Sequence, residues 1–507
     1  MIFRPSDETR LWDPWILQVD DVFHMWYLEA PLHSKTFPNL GHAVSTDLAH
    51  WQQLPSIPLL GPAGAWDETP NTSGTTLRHE GRYYMFYGGH EVPQQIGVMV
   101  SDDLERWTRH PDNPLLSPEL PYYQTVLGPR LPVWYVSFRD PCVVWDPSLQ
   151  RYDAYISATT ASASPGFGTC IGHATSTDLI NWELHPPVLN IPELVQVDLP
   201  QYFQMDNDHY LIFSVVDGRG KPFDVPGREW VSGVFYAHSE SRHGEYSMPD
   251  NPFLFGSGHG RHEGYAGLTI QVGKERLFYH HTRSQPIDSA RFPFGMKRIS
   301  RKDNGALDLT YWPGHELLEK GEVRAGSLVR EEDLRGGTDL GVGQWDSDGG
   351  YITGKSDLVA SASYGSESWT DFHIECNIAP QTAVVAGLLL RYDPATRQGV
   401  LVVLDFRRGA VEVCGTKLGW RWIGRSVWDR VTLSLNLERP SRLRVLCRAE
   451  FIEVYVDDVW MFTTALQDRP SAEALDEIPR AGRLGYLVED GAATFSNVRL
   501  APLEPLP

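Results

Sequence analysis

The chain has 507 residues and a formal net charge of −21, enough for two or three domains. That acidity excludes partners gripped through clustered Lys and Arg, namely nucleic acid and anionic membranes, but does not oppose a neutral small molecule. Aromatic residues make up 11%, with 17 Trp, 45 Gly and 37 Pro, a composition that favours short strands and many turns over helical bundles.

Residues 1–8 carry no apolar segment of signal-peptide length, and no later run is long enough to cross a membrane as a helix. The five cysteines (Cys142, Cys170, Cys376, Cys414, Cys447) are odd in number and widely spaced. Reduced core thiols in a cytoplasmic protein are therefore expected, rather than a disulfide framework or a zinc site.

In chain order, an Asp13-Pro14 pair precedes Trp15-Ile16-Leu17 near the start. Short apolar–aromatic strands are then predicted over 22–27, 82–87, 151–156, 209–214 and 276–281. A second motif is interleaved: Ser45-Thr46-Asp47-Leu48-Ala49-His50-Trp51 returns as Ser101-Asp102-Asp103-Leu104-Glu105-Arg106-Trp107 and as Ser176-Thr177-Asp178-Leu179-Ile180-Asn181-Trp182. Recurrent units of this size predict a propeller of four-stranded blades, and the five aromatic strands predict five blades over residues 1–315. A charged, Trp-free stretch follows, read as a linker over 316–335. Apolar runs such as 384–392, 399–406, 442–447 and 451–456 then predict a β-sandwich over 336–507. Helical periodicity is confined to about one turn at 472–475. The expected fold class is all-β, a five-bladed β-propeller followed by a C-terminal β-sandwich.

Three acidic residues stand at strand mouths: Asp13 before Pro14, Asp140 in Arg139-Asp140-Pro141, and Asp198 two positions before Pro200. Alone, an aspartate before proline is usually a turn former, and Arg139–Asp140 reads equally as a structural ion pair. Together, converging carboxylates are what cleavage of an acetal requires, one as nucleophile or base and another as proton donor. For the donor, Asp198 leads, with Glu193, Glu240 and Glu263 as alternatives. Aromatic residues near these mouths (Trp12, Trp15, Trp26, Trp66, Trp134, Tyr135) are candidates for stacking on sugar faces or for filling blades. His259, His262, His280 and His281 lack metal-ligand spacing, and Gly166–Gly172 lacks dinucleotide-loop spacing. No metal or cofactor is expected.

These motifs resemble glycoside hydrolase family 32, the invertases, inulinases and levanases. Gly41-His42-Ala43-Val44-Ser45-Thr46-Asp47-Leu48-Ala49-His50-Trp51 is similar to that family's "WGHAVSTDLVHW", Phe138-Arg139-Asp140-Pro141 to its "FRDP", and Thr72-Ser73-Gly74-Thr75-Thr76 to its "FSGSA". The resemblance implies a propeller with a β-sandwich and a retaining hydrolase of terminal, fructose-type furanosides in small oligosaccharides. By it, Asp13 is the nucleophile, Asp140 binds sugar hydroxyls and supports the transition state, and Asp198 replaces the glutamate of "ECP" as acid. Arg139, Trp12, Leu28, Trp66, Ser73 and Glu263 are the expected substrate-binding residues. The sequence departs at Trp12, where the family has Asn, at Leu28, where it has Gln, and at Asp198, one methylene shorter than Glu. Three other readings stay open: an inverting arabinofuranosidase or other pentosidase, a fructosyltransferase, and a non-catalytic carbohydrate-binding protein. The sandwich is expected to buttress the propeller, and a homodimer is compatible with it.

Overall fold

The structure, a computed structural model, describes residues 9–505 except 33, 35, 70–72, 90–92, 127–135, 162–167, 216–224, 226, 228–231, 258–263, 285–288, 292–294, 326–342, 419–422 and 467–478. Glu263, His259, His262, Trp134, Tyr135 and the predicted turn at 472–475 thus lie outside the described residues.

The N-terminal half is a series of antiparallel meanders, each strand pairing with the next in sequence. The first sheet comprises β1 (Thr9–Val19), β2 (Val22–Pro31), β3 (Asn39–Ser45) and β4 (Gln52–Pro58). The second holds β5 (Thr75–His79), β6 (Arg82–Gly89), β7 (Gln95–Ser101) and β8 (Thr108–Arg109). The third holds β9 (Phe138–Asp146), β10 (Arg151–Thr159), β11 (Thr169–Ser176) and β12 (Glu183–Asn190). The fourth holds β13 (Asp198–Met205), β14 (Asp208–Val215), β15 (Ser232–Ser239) and β16 (Phe253–Ser257). The first strands of successive sheets lie against one another, β1 on β5, β5 on β9 and β9 on β13.

Five blades are expected from the sequence; among the described residues, four separate four-stranded sheets are found. The remaining strands, β17 (Tyr265–Val272), β18 (Glu275–Ser284), β19 (Ser289–Arg291), β20 (Lys297–Arg301) and β21 (Leu307–Tyr311), form a meander in which β18 pairs with both β19 and β20. Its outer strand is not free: Thr310 pairs with Val459, which fuses the meander to the C-terminal strands in one 17-stranded sheet. The inner strand, β17, nevertheless touches both β13 and β1.

The repeated heptapeptides are the turns between the third and fourth strands of three sheets. In each, the serine hydroxyl accepts the leucine N–H (2.8 Å at Ser45–Leu48, 2.9 Å at Ser101–Leu104 and Ser176–Leu179). The aspartate carboxylate accepts the next two backbone N–H groups, and the tryptophan indole donates to the leucine carbonyl. The leucine takes φ of 63°, 65° or 69°, left-handed backbone that costs a β-carbon clash, and is buried in return. The motif is thus a self-contained turn that satisfies its own polar groups.

The C-terminal strands are antiparallel throughout. Strand Tyr351–Trp369 runs along Gly482–Pro502, and Phe372–Ala379 pairs on one side with Ser441–Arg448 and on the other with Gly482–Pro502. Ile374, Leu388, Val402, Val445, Val454, Phe462, Tyr486 and Phe495 share one apolar core. A second core crosses the boundary between the halves, joining Leu11, Tyr27, Tyr210 and Leu309 to Leu446, Phe451, Tyr455 and Trp460. The predicted linker begins inside a 3-10 turn, Pro313–Leu318, and is pinned where Glu319 accepts from Arg499 (2.6 Å) and pairs with His373 (2.8 Å). All five cysteines are free and buried.

Candidate active site

Four inner strands carry the same defect at the same depth. In β1, Trp12 pairs with Leu28 and Trp15 with Trp26, so that Asp13 and Pro14 face a single residue, Tyr27. Arg139 and Cys142 of β9 pair with Ser157 and Tyr155, leaving Asp140 and Pro141 opposite Ile156. Likewise Leu199 and Pro200 of β13 face Phe213, and Ala266 and Gly267 of β17 face His280. In each case the first of the two extra residues is left-handed, with φ of 42° at Asp13, 51° at Asp140 and Leu199, and 53° at Ala266. Each is a β-bulge, a device that bends a strand and re-aims a side chain. Proline suits the second position because its missing N–H leaves no ladder bond unmade.

The bulges create two layers of side chains. Asp13 and Asp140 are bulge residues; Trp12, Arg139, Asp198 and Tyr265 each precede one. Asp198 is therefore equivalent in register to Arg139 and Trp12, not to the other two aspartates. That offset puts Asp198 a level apart and lets Arg139 reach it.

The three carboxylates converge through two shared partners. Ser73, just before β5, donates from its hydroxyl to Asp13 Oδ2 (2.8 Å) and from its backbone N–H to Asp140 Oδ1 (3.1 Å). Arg139 pairs through Nε with Asp140 Oδ2 (3.2 Å) and through a terminal nitrogen with Asp198 Oδ1. Leu199 N–H also donates to Asp140 Oδ2 (3.4 Å). Asp198 is enclosed by donors: Gln196 Nε2 reaches both oxygens (2.8 and 2.7 Å) and the Tyr265 hydroxyl reaches Oδ2 (2.6 Å). Gln94 holds Arg139 from behind, its Oε1 accepting from Arg139 (3.2 Å) and from Phe138 N–H (3.3 Å).

All three aspartates are buried, at 7%, 5% and 4% exposure for Asp13, Asp140 and Asp198. Burial lifts the Asp13 carboxyl well above the usual carboxylate range, and the neighbouring Asp140 charge adds to the lift. Asp140 is pushed up to about 6, burial outweighing the attraction of Arg139. Asp13 Oδ1 is buried with no hydrogen-bond partner among the described residues. An unsatisfied carboxylate oxygen is expensive in a dry interior, and such expense is characteristic of reacting groups.

Trp12 packs on His281 (ring centroids 4.7 Å) and on Tyr265 (6.0 Å), so this aromatic wall adjoins Asp198. Asp140 and Ser73 line a cavity of about 100 Å³ together with Trp15, Thr76, Cys142, Gln201 and Tyr279. Among the sequence candidates, Trp12, Asp13, Ser73, Arg139, Asp140 and Asp198 are brought together. Leu28 is fully buried beside Trp12 in the ladder, within a cluster that includes Trp26, Leu40 and Leu59. Trp66 packs on Tyr87 (5.4 Å) and over Gly89 and Gly97. Trp26 is wholly buried and stacks on His42 (5.0 Å), a filling role. Gln94, Gln196 and Tyr265 were not legible as site residues. The only sequence signal was positional, Gln196 lying two before Asp198 and Tyr265 preceding an Ala-Gly pair equivalent to Asp-Pro.

Buried carboxylates gathered at bulged strand mouths, with a cation strung between two of them, supply the groups that acid–base and nucleophilic work at a glycosidic carbon requires. Residues 13–221 match the family described as "Glycosyl hydrolases family 32 N-terminal domain". That stretch of the chain, which lies within its N-terminal half, is thus similar to the N-terminal domain of that family. The chain is 29% identical over 194 residues to an insoluble β-fructofuranosidase isoenzyme, CWINV6, of Arabidopsis thaliana, a match covering 36% of this chain and 32% of that protein. The chain thus spans about a third of that relative's length. Among solved structures it resembles fructan 1-exohydrolase IIa of Cichorium intybus, with a TM-score of 0.67 and 15% identity over 100% of this chain and 97% of the other. A fructofuranosidase of Schwanniomyces occidentalis complexed with fructose gives 0.66 and 13% over 99% and 97%.

Proposed function

We propose that the protein is a glycoside hydrolase that cleaves terminal β-fructofuranoside-type linkages in small oligosaccharides by a retaining double displacement. The observation that carries this reading is the shared anchoring of Asp13 and Asp140 on Ser73, with Asp140 and Asp198 joined by Arg139. The relatives are fructan- and fructoside-directed by name, which supports the substrate class.

Asp13 attacks the anomeric carbon through Oδ1, Asp140 accepts hydrogen bonds from ring hydroxyls, and Asp198 protonates the leaving oxygen and then activates water. Every present partner of Asp198 is a donor, the pattern a carboxylate accepts. Of these partners Tyr265 can reverse direction without moving its heavy atoms, because a hydroxyl both donates and accepts. A proton on Asp198 Oδ2 therefore keeps the bond to Tyr265 and stays aimed into the site. Aspartate is shorter than glutamate, so the leaving group must sit deeper, against Trp12 and His281.

In this reading the β17–β21 meander serves as the fifth blade, closing the ring from β13 to β1, and residues 336–507 form a two-sheet sandwich that buttresses it. The domain limits 1–315 and 336–507, a cytoplasmic site of action and a homodimer belong to the same proposal. The test is turnover of sucrose and short fructans, with the first-formed anomer followed by proton NMR. Retention supports the double displacement; inversion, or turnover of arabinofuranosides alone, favours the pentosidase. Transfer products at high sucrose would mark a fructosyltransferase, and binding without product a carbohydrate-binding protein.

A further inference from the structure

A second group of ionisable residues lies sealed between the two halves of the chain, and the mechanism does not use it. Lys297 on β20 and Glu453 on strand Phe451–Val456 are both 0% exposed and pair at 2.7 Å. Glu453 Oε2 also accepts from Thr463 (2.7 Å), and its other oxygen accepts from Tyr455. Lys297 makes a second contact, 2.8 Å from His280 Nε2, under the ring of Phe255. A buried ion pair contributes little net stability against an apolar replacement, so this one is better read for the geometry it holds than for stability.

The contact with Lys297 fixes a tautomer. An ammonium group only donates, so His280 Nε2 must be bare and the ring proton must sit on Nδ1. Nδ1–H then points at the carbonyl of the next residue, His281 (3.2 Å). His280 is the residue opposite the bulge at Ala266 and Gly267, and His281 pairs across the ladder with Tyr265. Side chains alternate along the strand, so His280 faces the junction while His281 faces Trp12 and Tyr265.

We propose that Glu453, a residue of the C-terminal half, is a positioning residue for the active site. Through Lys297 and His280 it fixes the segment of β18 that holds His281 against Trp12 and Tyr265 against Asp198. The inference rests on the fructosidase reading for its kinetic effect but not for its geometry. The groups facing Lys297 are Glu453 and Tyr455 on one strand, His280 on β18 and His315 on the 3-10 turn, with Arg444 beyond Tyr311. Burial lowers Lys297, Glu453 opposes this, and His280 and His315 are held well below the usual imidazole range by burial, hence neutral. Removing the Glu453 charge therefore lets Lys297 shed its proton at lower pH.

The experiment compares Glu453→Gln with Val454→Ala, a neighbouring core truncation that destabilises the same strand without touching the pair. Sucrose turnover per folded molecule and its pH profile are measured, with imidazole ¹⁵N spectra of histidine-labelled protein assigned through His280→Gln. Glu453→Gln is expected to lower kcat about tenfold, move the alkaline limb to lower pH and shift the His280 Nδ1–H signal; Val454→Ala should do none of these. Wild-type kcat, limb and His280 signal in Glu453→Gln would overturn the proposal, as would equal changes in both variants. Were the wild type inactive on fructosides, the proposed function would fail, and the His280 signal would still decide this inference.

Discussion

The turns at the sheet edges and the bulges at the inner strand mouths use the same left-handed backbone at non-glycine residues, but balance it differently. At Leu48, Leu104 and Leu179 the strain is met within seven residues, by a serine, an aspartate and a tryptophan that satisfy the turn's own groups. At Asp13 and Asp140 the same backbone is tied mainly to distant parts of the chain: Ser73 bonds both carboxylates and Leu199 N–H donates to Asp140, with Arg139 a neighbour in sequence. One oxygen, Asp13 Oδ1, is left unmatched among the described residues. Strain that only the assembled ring can hold is strain available to chemistry.

The strongest way to break this comparison is Asp13→Asn. Turnover should fall by about 10⁴-fold or more, as for loss of a group acting only in the transition state. The variant should meanwhile melt higher at pH 7. Asp13 is raised in the folded state, so its contribution to stability is fully present below the ordinary carboxylate pKa and is lost as pH rises through the folded value. An amide carries no charge to bury, and the gain should be on the order of 1 kcal/mol for each unit of raised pKa relieved. Thermal melts at pH 4 and 7 check the sign: the advantage must vanish at the lower pH.

Asp198→Ala tests the proton donor. A loss of about 10²–10⁴-fold is expected with sucrose and a much smaller one with an activated aryl leaving group, which needs no proton. Equal losses on both would remove Asp198 from that role. A smaller effect, about tenfold, is expected for Ser73→Ala, which deletes the hydroxyl bond that lowers Asp13. Its signature is an acid limb of kcat/KM moved upward. In the wild type that limb should lie above the ordinary carboxylate range, because burial raises both Asp13 and Asp140. Smallest of all is Ser176→Ala in an edge turn, with about 1 kcal/mol of stability lost in denaturant titrations and kcat unchanged.

The propeller repeat was legible because its turn motif is local: three residue types at fixed spacing satisfy one another, so the letters recur. Asp13 and Asp140 were legible because Asp-Pro fits a bulge and proline leaves a signature. Tyr265 was not, since Ala266-Gly267 makes the same bulge without an acid or a proline. The count of separate blades failed for a different reason. The single pairing of Thr310 with Val459 merges a meander with distant strands, and no pattern near residue 310 announces a partner near 459.

Sequence alone therefore determined the strand periodicity, the edge turns and which residues could sit at a strained strand mouth, because each depends on interactions within a few residues. Tertiary structure decided which carboxylates meet, since Asp13, Ser73, Asp140 and Asp198 reach one another only when separate sheets close around an axis. It also decided the layer each one occupies. A one-residue offset in register sets Asp198 beside Arg139 rather than level with Asp13, and that offset exists only once strands are paired.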